Sequence, residues 1–255
     1  MKTIDINCDM GESYGRWILG DDKGLMPYVT SVNVAAGYHG GDPATIRKAI
    51  EHAVEHGLQV GAHVAFPDLM GFGRRRMIIP KNDLRDYVTY QIGAVQAFAQ
   101  RCGIRLGHVK PHGALYVMAS EDPEVAAAVA ESMASLDKNM CLMLLDKTQE
   151  SVVKQFGIEL YSEGFPDIKY DAQGKLMVEP IKEFWEPELV AARALQMVLE
   201  GSVKKENGEL LKIDVSTICI HGDAPNAVDI AKTVRAKLES HGVDVKPLKG
   251  VQLAV

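Results

Sequence analysis

The chain has 255 residues, 47% hydrophobic and 24% charged, which suits one large α/β domain and is ordinary for a soluble globular protein. Its net charge of -6 argues against a nucleic-acid groove or an anionic membrane surface, so the expected ligand is small. No apolar run has the length of a membrane span, the first strand begins by residue 4 without room for a signal peptide, and Cys8, Cys102, Cys141 and Cys219 lie far apart without a CxxC pair, which together predict a cytoplasmic protein with buried thiols.

The first element is a strand through DINCDMGE (5–12). Side chains on a strand alternate between its faces, so Ile4, Ile6 and Cys8 fall opposite Asp5, Asn7 and Asp9. Further apolar runs follow at SVNVAA (31–36), LQVGAH (58–63), IRLGHVKPH (104–112), CLMLL (141–145), GIELYSE (157–163) and VSTICIHG (215–222), making seven candidate strands. Helical patterns separate most of them. DPATIRKAIEHAVEHG has Asp42 as N-cap, Pro43 at the first helical position and Gly57 as terminator, and DPEVAAAVAESMASL repeats that start at Asp122 and Pro123. KNDLRDYVTYQIGAVQAFAQRCG, KTQESVVKQFG, EPELVAARALQMVLEG and APNAVDIAKTVRAKLESHG supply the others. Two hairpin-like excursions interrupt the alternation, KYDAQGKLMVEP (169–180) and SVKKENGELLKI (202–213), the second turning at Asn207-Gly208. Strand and helix in alternation predict a parallel sheet covered by helices, open and doubly wound or closed into a barrel, and no linker divides the single domain expected over residues 1–255.

The polar residues recur on one face. Asn33, Gly37 and His39 share a face, as do Gly61 and His63, then His108, Lys110 and His112, then Tyr161 and Glu163, while His221 falls on the Cys219 side. Parallel α/β folds bind ligands at the carboxyl ends of their strands, so these positions form the expected site. Lys110, within a buried strand, requires a counter-charge from Asp5, Asp9 or Glu163. GFGRRRM (71–77) brings Arg74, Arg75 and Arg76, either a solvated loop or an anion clamp, and the helix starts after GGDP and HGDAP add amides at the same end. His108 reads equally as a core or a catalytic histidine, His52 and His56 as surface residues, and His241 as a helix-terminal cation. Cys8 faces the helix layer.

Read together, DINCDMGESYG, SVNVAAGYHGGDP, VGAHVAFPDLMGFGRR, VKPHGALY, EGFPDIKYD and CIHGDAPNAV resemble the LamB/YcsF family, the A subunits of bacterial 5-oxoprolinase. The resemblance runs almost the whole chain in order. It implies a distorted seven-stranded β/α barrel similar to polysaccharide deacetylases. It also implies ATP-dependent opening of 5-oxoproline to L-glutamate with partner subunits B and C, the ATP and its Mg being held here or on a partner. Ala36, Val64, Pro166 and Ile168 depart from the family's usual Cys, Pro, Ala and Arg. The missing Arg implies either a different substrate or a substitute such as Lys169.

On that footing the expected catalytic set is Asp9, Glu12, His39, His63, Lys110, His112 and Glu163. Asp9, Glu12 or Glu163 is the base, the histidines donate protons or orient the intermediate, and Lys110 stabilises developing negative charge. Asp5, Asn7, Asn33, Arg74, Arg75, His221 and Asp223 are the expected substrate-binding set. One alternative is a metal-dependent amidohydrolase or deacetylase acting on another small amide, with a divalent ion on Asp5, His39 and His63, or with Asp9 and His112 contributing; the HxxxH spacing common in such deacetylases is absent. Another is a non-catalytic subunit that binds a small acid, since the chain has no Walker A sequence. A homo-oligomer is also open.

Overall fold

The computed structural model describes residues 2–177, 182–249 and 252–253. Seven parallel strands form a closed ring: β1 (Thr3–Met10), β2 (Ser31–Ala35), β3 (Gln59–Val64), β4 (His108–Pro111), β5 (Cys141–Leu144), β6 (Glu159–Gly164) and β7 (Thr217–Ile220). Each pairs with the next, and β7 returns to β1 with Asn7 opposite Cys219 and Cys8 opposite Ile220. The barrel expectation holds. The ring is uneven: β1 pairs with β2 over Asn7 to Met10, whereas β6 meets β7 only through Glu163–Thr217 and Gly164–Ile218.

The helices are α1 (Asp22–Leu25), α2 (Pro43–Glu55), α3 (Lys81–Arg101), α4 (Gly113–Glu121), α5 (Pro123–Leu136), α6 (Glu150–Lys154), α7 (Pro187–Glu200) and α8 (Ala227–Ser240). α2 starts where its sequence says: the Asp42 carboxylate accepts from the backbone N–H of Ala44 and Thr45, and the chain leaves through Gly57 in the left-handed region. α4 is not among the expected helices: HGALY turns straight from β4 into it. The run expected as one strand over 104–112 also divides. Ile104–Arg105 pairs antiparallel with Gln252–Leu253, and only His108–Pro111 joins the barrel.

The 202–213 excursion is a hairpin of Ser202–Lys204 on Leu210–Lys212. That at 169–180 begins with a Tyr170–Leu176 bridge, and its residues 178–180 lie outside the described residues. No described helix is long and apolar enough to cross a membrane.

The outward faces of the strands make the apolar core with the helices. Cys8, Val32, Val34, Ala62, Val109, Leu142, Leu144, Ile218 and Ile220 are fully buried there, against stripes such as Val88, Ile92 and Val95 of α3. Removing one such side chain, as in Ile92→Ala, costs about 2–5 kcal/mol because the shell collapses only partly into the space. The inward faces are polar and stack in layers, as barrel interiors do. At the bottom, Asp5 accepts from the hydroxyls of Thr30, Ser31 and Thr217. Above it, His108 lies between Gln59 and Asn33, with ring nitrogens 2.9 and 2.6 Å from their side chains. Gly61 makes room for that ring, since a Cβ there would stand 2.2 Å from it. His108 is thus a satisfied interior residue, held neutral by burial, which lowers its pKa to about 3.

Candidate active site

Above these layers sits Lys110, whose Nζ lies 3.0 Å from Asp9 Oδ1, 3.0 Å from Glu163 Oε1, 3.0 Å from Cys219 Sγ and 3.3 Å from Asn7 Oδ1. Burial opposes the charge, but Asp9, Cys219 and Glu163 outweigh it and hold the ammonium well above its ordinary value. The expected counter-charge comes from two carboxylates at once. Asp9 also meets His63 Nε2 at 3.3 Å through its other oxygen. Burial raises this carboxyl, yet His63 and Lys110 hold it well below the usual range. Asn7 and Asn33 belong to the same scaffold: Asn33 donates to Asn7 Oδ1 and Asp9 Oδ1, and Asn7 donates to Glu163 and Thr217. Every side-chain polar atom of Asn7 is engaged inside the protein, so it positions the Lys110 centre instead of meeting substrate.

A second cluster adjoins the first. Glu12 Oε1, from the loop after β1, lies 3.1 Å from His39 Nε2, 3.5 Å from His112 Nδ1 and 4.0 Å from His63 Nε2. His39 and His112 stack with centroids 3.8 Å apart. Burial, with the neighbouring Asp9 and Asp223, pushes the Glu12 carboxyl well above its ordinary value, and burial lowers His39 and His112 well below theirs. Burial thus favours the protonated acid at Glu12 and the neutral ring at His39 and His112.

Two backbone carbonyls assign the tautomers. His63 Nδ1 donates to Lys110 O at 2.9 Å and His112 Nε2 donates to Phe72 O at 2.8 Å, since a carbonyl only accepts. His63 Nε2 and His112 Nδ1 then face one another at 2.9 Å after each ring has spent one N–H on a carbonyl, so the contact needs a shared proton or a cation. Donor atoms of Glu12, His39, His63 and His112 lie within 4.8 Å of one another, and three imidazoles with one carboxylate suit Zn or Mn. These residues fit a divalent ion. Asp5 does not join them, which corrects the expected Asp5–His39–His63 set: it stands two residues deeper on β1 than Asn7, with its oxygens taken by hydroxyls, and burial raises its pKa to about 6. The same depth removes it from the substrate-binding set. Asp9, Cys219 and His221 also converge within 4.8 Å, but Lys110 already supplies the positive charge there.

On the opposite wall, Asp167 holds His221 through its backbone N–H at 2.8 Å and its Nδ1 at 3.0 Å. Burial opposes ionisation of Asp167, but His221 outweighs it and lowers the carboxyl to about 2. The imidazole lies along the Phe165 ring and lines a pocket of about 50 Å³ with Asp9, His63, Lys110, His112 and Arg74. This pocket shares Tyr116, Val117 and Leu176 with a wider cavity of about 820 Å³.

Arg74 lines this pocket, lies over Phe72 and pairs with Asp223 at 2.9 Å. Arg75 does not line this pocket: it is two-thirds exposed and its guanidinium binds Asp68. The start of α2 is already capped by Asp42, which removes it as an anion site. Lys169 is exposed beside Trp185 at 5.9 Å, whereas buried Lys182, which no motif or period in the sequence singles out, lines the pocket beside Ile168. Asp167 and Tyr116 are likewise absent from the expected sets. The signals for them in the sequence are EGFPD, whose acid follows Glu163 by four residues, and the VKPHGALY motif that ends on Tyr116.

Comparison with known proteins gives a consistent picture. The model of the LamB/YcsF family matches residues 4–253. The A subunit of the 5-oxoprolinase of Pyrococcus abyssi is 43% identical over 249 residues, 96% of this chain and 98% of the relative. Its counterpart from Heliobacterium modesticaldum is 44% identical over 246 residues, 95% of this chain and 97% of the relative. The crystal structure of a lactam utilization protein from Thermus thermophilus superposes with a TM-score of 0.88 at 42% identity, covering 96% of this chain and 99% of that one.

Proposed function

The chain belongs to the LamB/YcsF family, and on that premise we propose that it is the A subunit of an ATP-dependent 5-oxoprolinase, opening 5-oxoproline to L-glutamate with partner subunits B and C. The observation that carries the chemistry is Lys110, a buried ammonium fixed between Asp9 and Glu163 at the end of the barrel and facing a small pocket. An amide carbon is unreactive until its oxygen is activated. Phosphoryl transfer from ATP to that oxygen gives an imidate phosphate and ADP. Water adds to the carbon, the ring C–N bond breaks with the nitrogen protonated, and a second water hydrolyses the resulting acyl phosphate to glutamate and phosphate.

Each group has a role that its environment favours. Lys110 stabilises the negative charge on the oxygen, a task for a preorganised cation in a water-poor site. Asp9, held low by His63 and Lys110, is a poor base and keeps both in place. Glu12 is a proton donor. His221, with Nδ1 fixed by Asp167, presents its other nitrogen as the base for water, so the base is this imidazole in preference to a carboxylate. Lys182 and Arg74 receive the substrate carboxylate, and Lys182 makes good the arginine absent at Ile168.

ATP and its Mg are assigned to a partner subunit. In support, three of the four cations that line the wider cavity are already engaged: Arg76 and Lys175 with Glu121 at 2.9 and 3.0 Å, and Lys147 with Asp214 at 3.1 Å. The deciding experiment mixes the chain with its two partners, 5-oxoproline and ATP, and measures glutamate and phosphate. Equal release of both supports the reading, and no glutamate from the full assembly sinks it.

A second reading, a metal-dependent amidohydrolase, is favoured by one observation, the 2.9 Å approach of His63 Nε2 to His112 Nδ1. Glu12, His39, His63 and His112 would hold the ion, which when bound would polarise an amide oxygen or acidify a water. Elemental analysis of untagged protein, with glutamate release in the absence of ATP, separates it from the first.

A further inference from the structure

Two buried polar atoms beside the Lys110 centre have no hydrogen-bond partner of good geometry, although their side chains approach each other: Tyr116 Oη, in the first turn of α4, and Glu163 Oε2, near the end of β6. Both side chains line the wider cavity, and Tyr116 also lines the small pocket. Buried polar atoms in folded proteins are nearly always satisfied, so two together in a cavity wall point to a ligand that supplies the partners. They differ in kind. Glu163 Oε1 takes both Lys110 and the Asn7 amide, which leaves Oε2 as an acceptor. Burial, then the Glu163 charge and its approach as an acceptor, push the Tyr116 phenol well above its ordinary value, so it remains an O–H donor.

One acceptor beside one donor complements a cis amide, whose N–H and C=O emerge on the same edge. Linear secondary amides are almost always trans, whereas a small lactam ring is locked cis. We propose that Glu163 Oε2 and Tyr116 Oη bind the cis-amide edge of a small lactam, the carboxylate accepting its N–H and the phenol donating to its C=O. This rests on the 5-oxoproline reading and deepens it, because it makes ring closure itself the recognised feature and excludes linear amides. It also gives Glu163 a step. As the amide oxygen attacks the γ-phosphorus and ADP leaves, the N–H proton passes to Glu163 and the N–H electron pair becomes the C=N bond of the imidate. The proton returns to nitrogen when the C–N bond breaks.

The test uses the assembly of this chain with its partner subunits. Binding is measured by calorimetry for 5-oxoproline, for its lactone, in which oxygen replaces the ring N–H, and for N-acetylglycine, a linear trans amide; turnover is followed for 5-oxoproline. The lactone and N-acetylglycine should each bind roughly tenfold or more weakly than the lactam, the loss expected for an acceptor left unpaired. Tyr116→Phe should raise KM by about tenfold. Glu163→Gln should narrow the lactam-to-lactone preference, because the new amide can donate to the lactone ring oxygen, a change that a merely structural role would not produce. If Glu163→Gln fails to fold, Tyr116→Phe and the unmutated comparison decide. Normal turnover with equal lactone affinity, or an unchanged KM in Tyr116→Phe, overturns this inference alone. Neither binding nor turnover of 5-oxoproline by the assembly overturns the functional reading and this inference together.

Discussion

His63 and His112 approach each other at 2.9 Å, Nε2 to Nδ1, and each ring is anchored at its far nitrogen by a backbone carbonyl. The anchors fix which nitrogens meet, so the contact is a standing demand for positive charge. With Glu12 and His39 alongside, calorimetric titration with Mn(II) or Zn(II) should find a saturable site at about one ion per chain. Both His112→Ala and His39→Ala should abolish it, and His52→Ala on α2 should not. Undiminished binding in His112→Ala would exclude this cluster as the site.

Lys110 neutralises two buried carboxylates, so its removal should cost more than activity. Breaking a buried ion pair from one side typically costs about 3–5 kcal/mol. Lys110→Ala should therefore lower the unfolding free energy, measured by urea titration, by that order as well as abolish turnover. The double variant Lys110→Ala/Glu163→Gln should regain part of the stability and none of the activity. Equal midpoints for wild type and Lys110→Ala would show that the carboxylates do not depend on it.

Asp5 makes the protein less stable at neutral pH than it would be with a neutral group. Its pKa is raised from 3.8 to about 6, mainly by burial. The folded state thus holds the proton more tightly, and this group's contribution falls as pH rises through roughly 4 to 6 and stays low above. Asp5→Asn should stabilise the protein near pH 7 by up to about 3 kcal/mol, once the Thr217 hydroxyl turns to accept from the new amide. The gain should vanish near pH 4. Urea titrations of both proteins across that range check it, and a gain independent of pH would refute the assignment.

Asp167 has the opposite sign. Its pKa is lowered to about 2 because His221 outweighs burial, so it stabilises the fold above pH 4 and loses that effect as pH falls towards 2. Asp167→Asn should cost about 2 kcal/mol at pH 7 and little at pH 2. It should also lower kcat by about 10- to 100-fold with KM less affected, because the base for water loses its orientation. A kcat within twofold of wild type would leave His221 without a catalytic role.

Strand parity carried much of this site. Asp9, His63, Lys110 and Glu163 all point inward, as alternation requires, and the barrel follows from seven apolar runs separated by helices. Parity gives the face and not the height. Asp5 and Asp9 share a face, yet the first is roofed over by Asn7 and only the second reaches His63 and Lys110. Residues supplied by other kinds of element were harder to see. Tyr116 sits on a helix that its small and aromatic neighbours did not announce, and Lys182 comes from an irregular stretch whose side chains follow no period.

The ring is closed by the two strands farthest apart in the sequence, with Asp5 against Thr217 and Asn7 against Cys219. The strand through Asp5 and Asn7 therefore waits for the one through Thr217 and Cys219. Until about residue 221 has emerged, Lys110 lacks Cys219, Asp167 lacks His221, and β1 keeps an open edge. Such long-range closure is slow, because chain entropy is lost before the contacts form. Fragments ending before Thr217 would keep the motifs that read most clearly in the sequence and still have no working centre, so this site comes into being only once the last of its seven strands has been made.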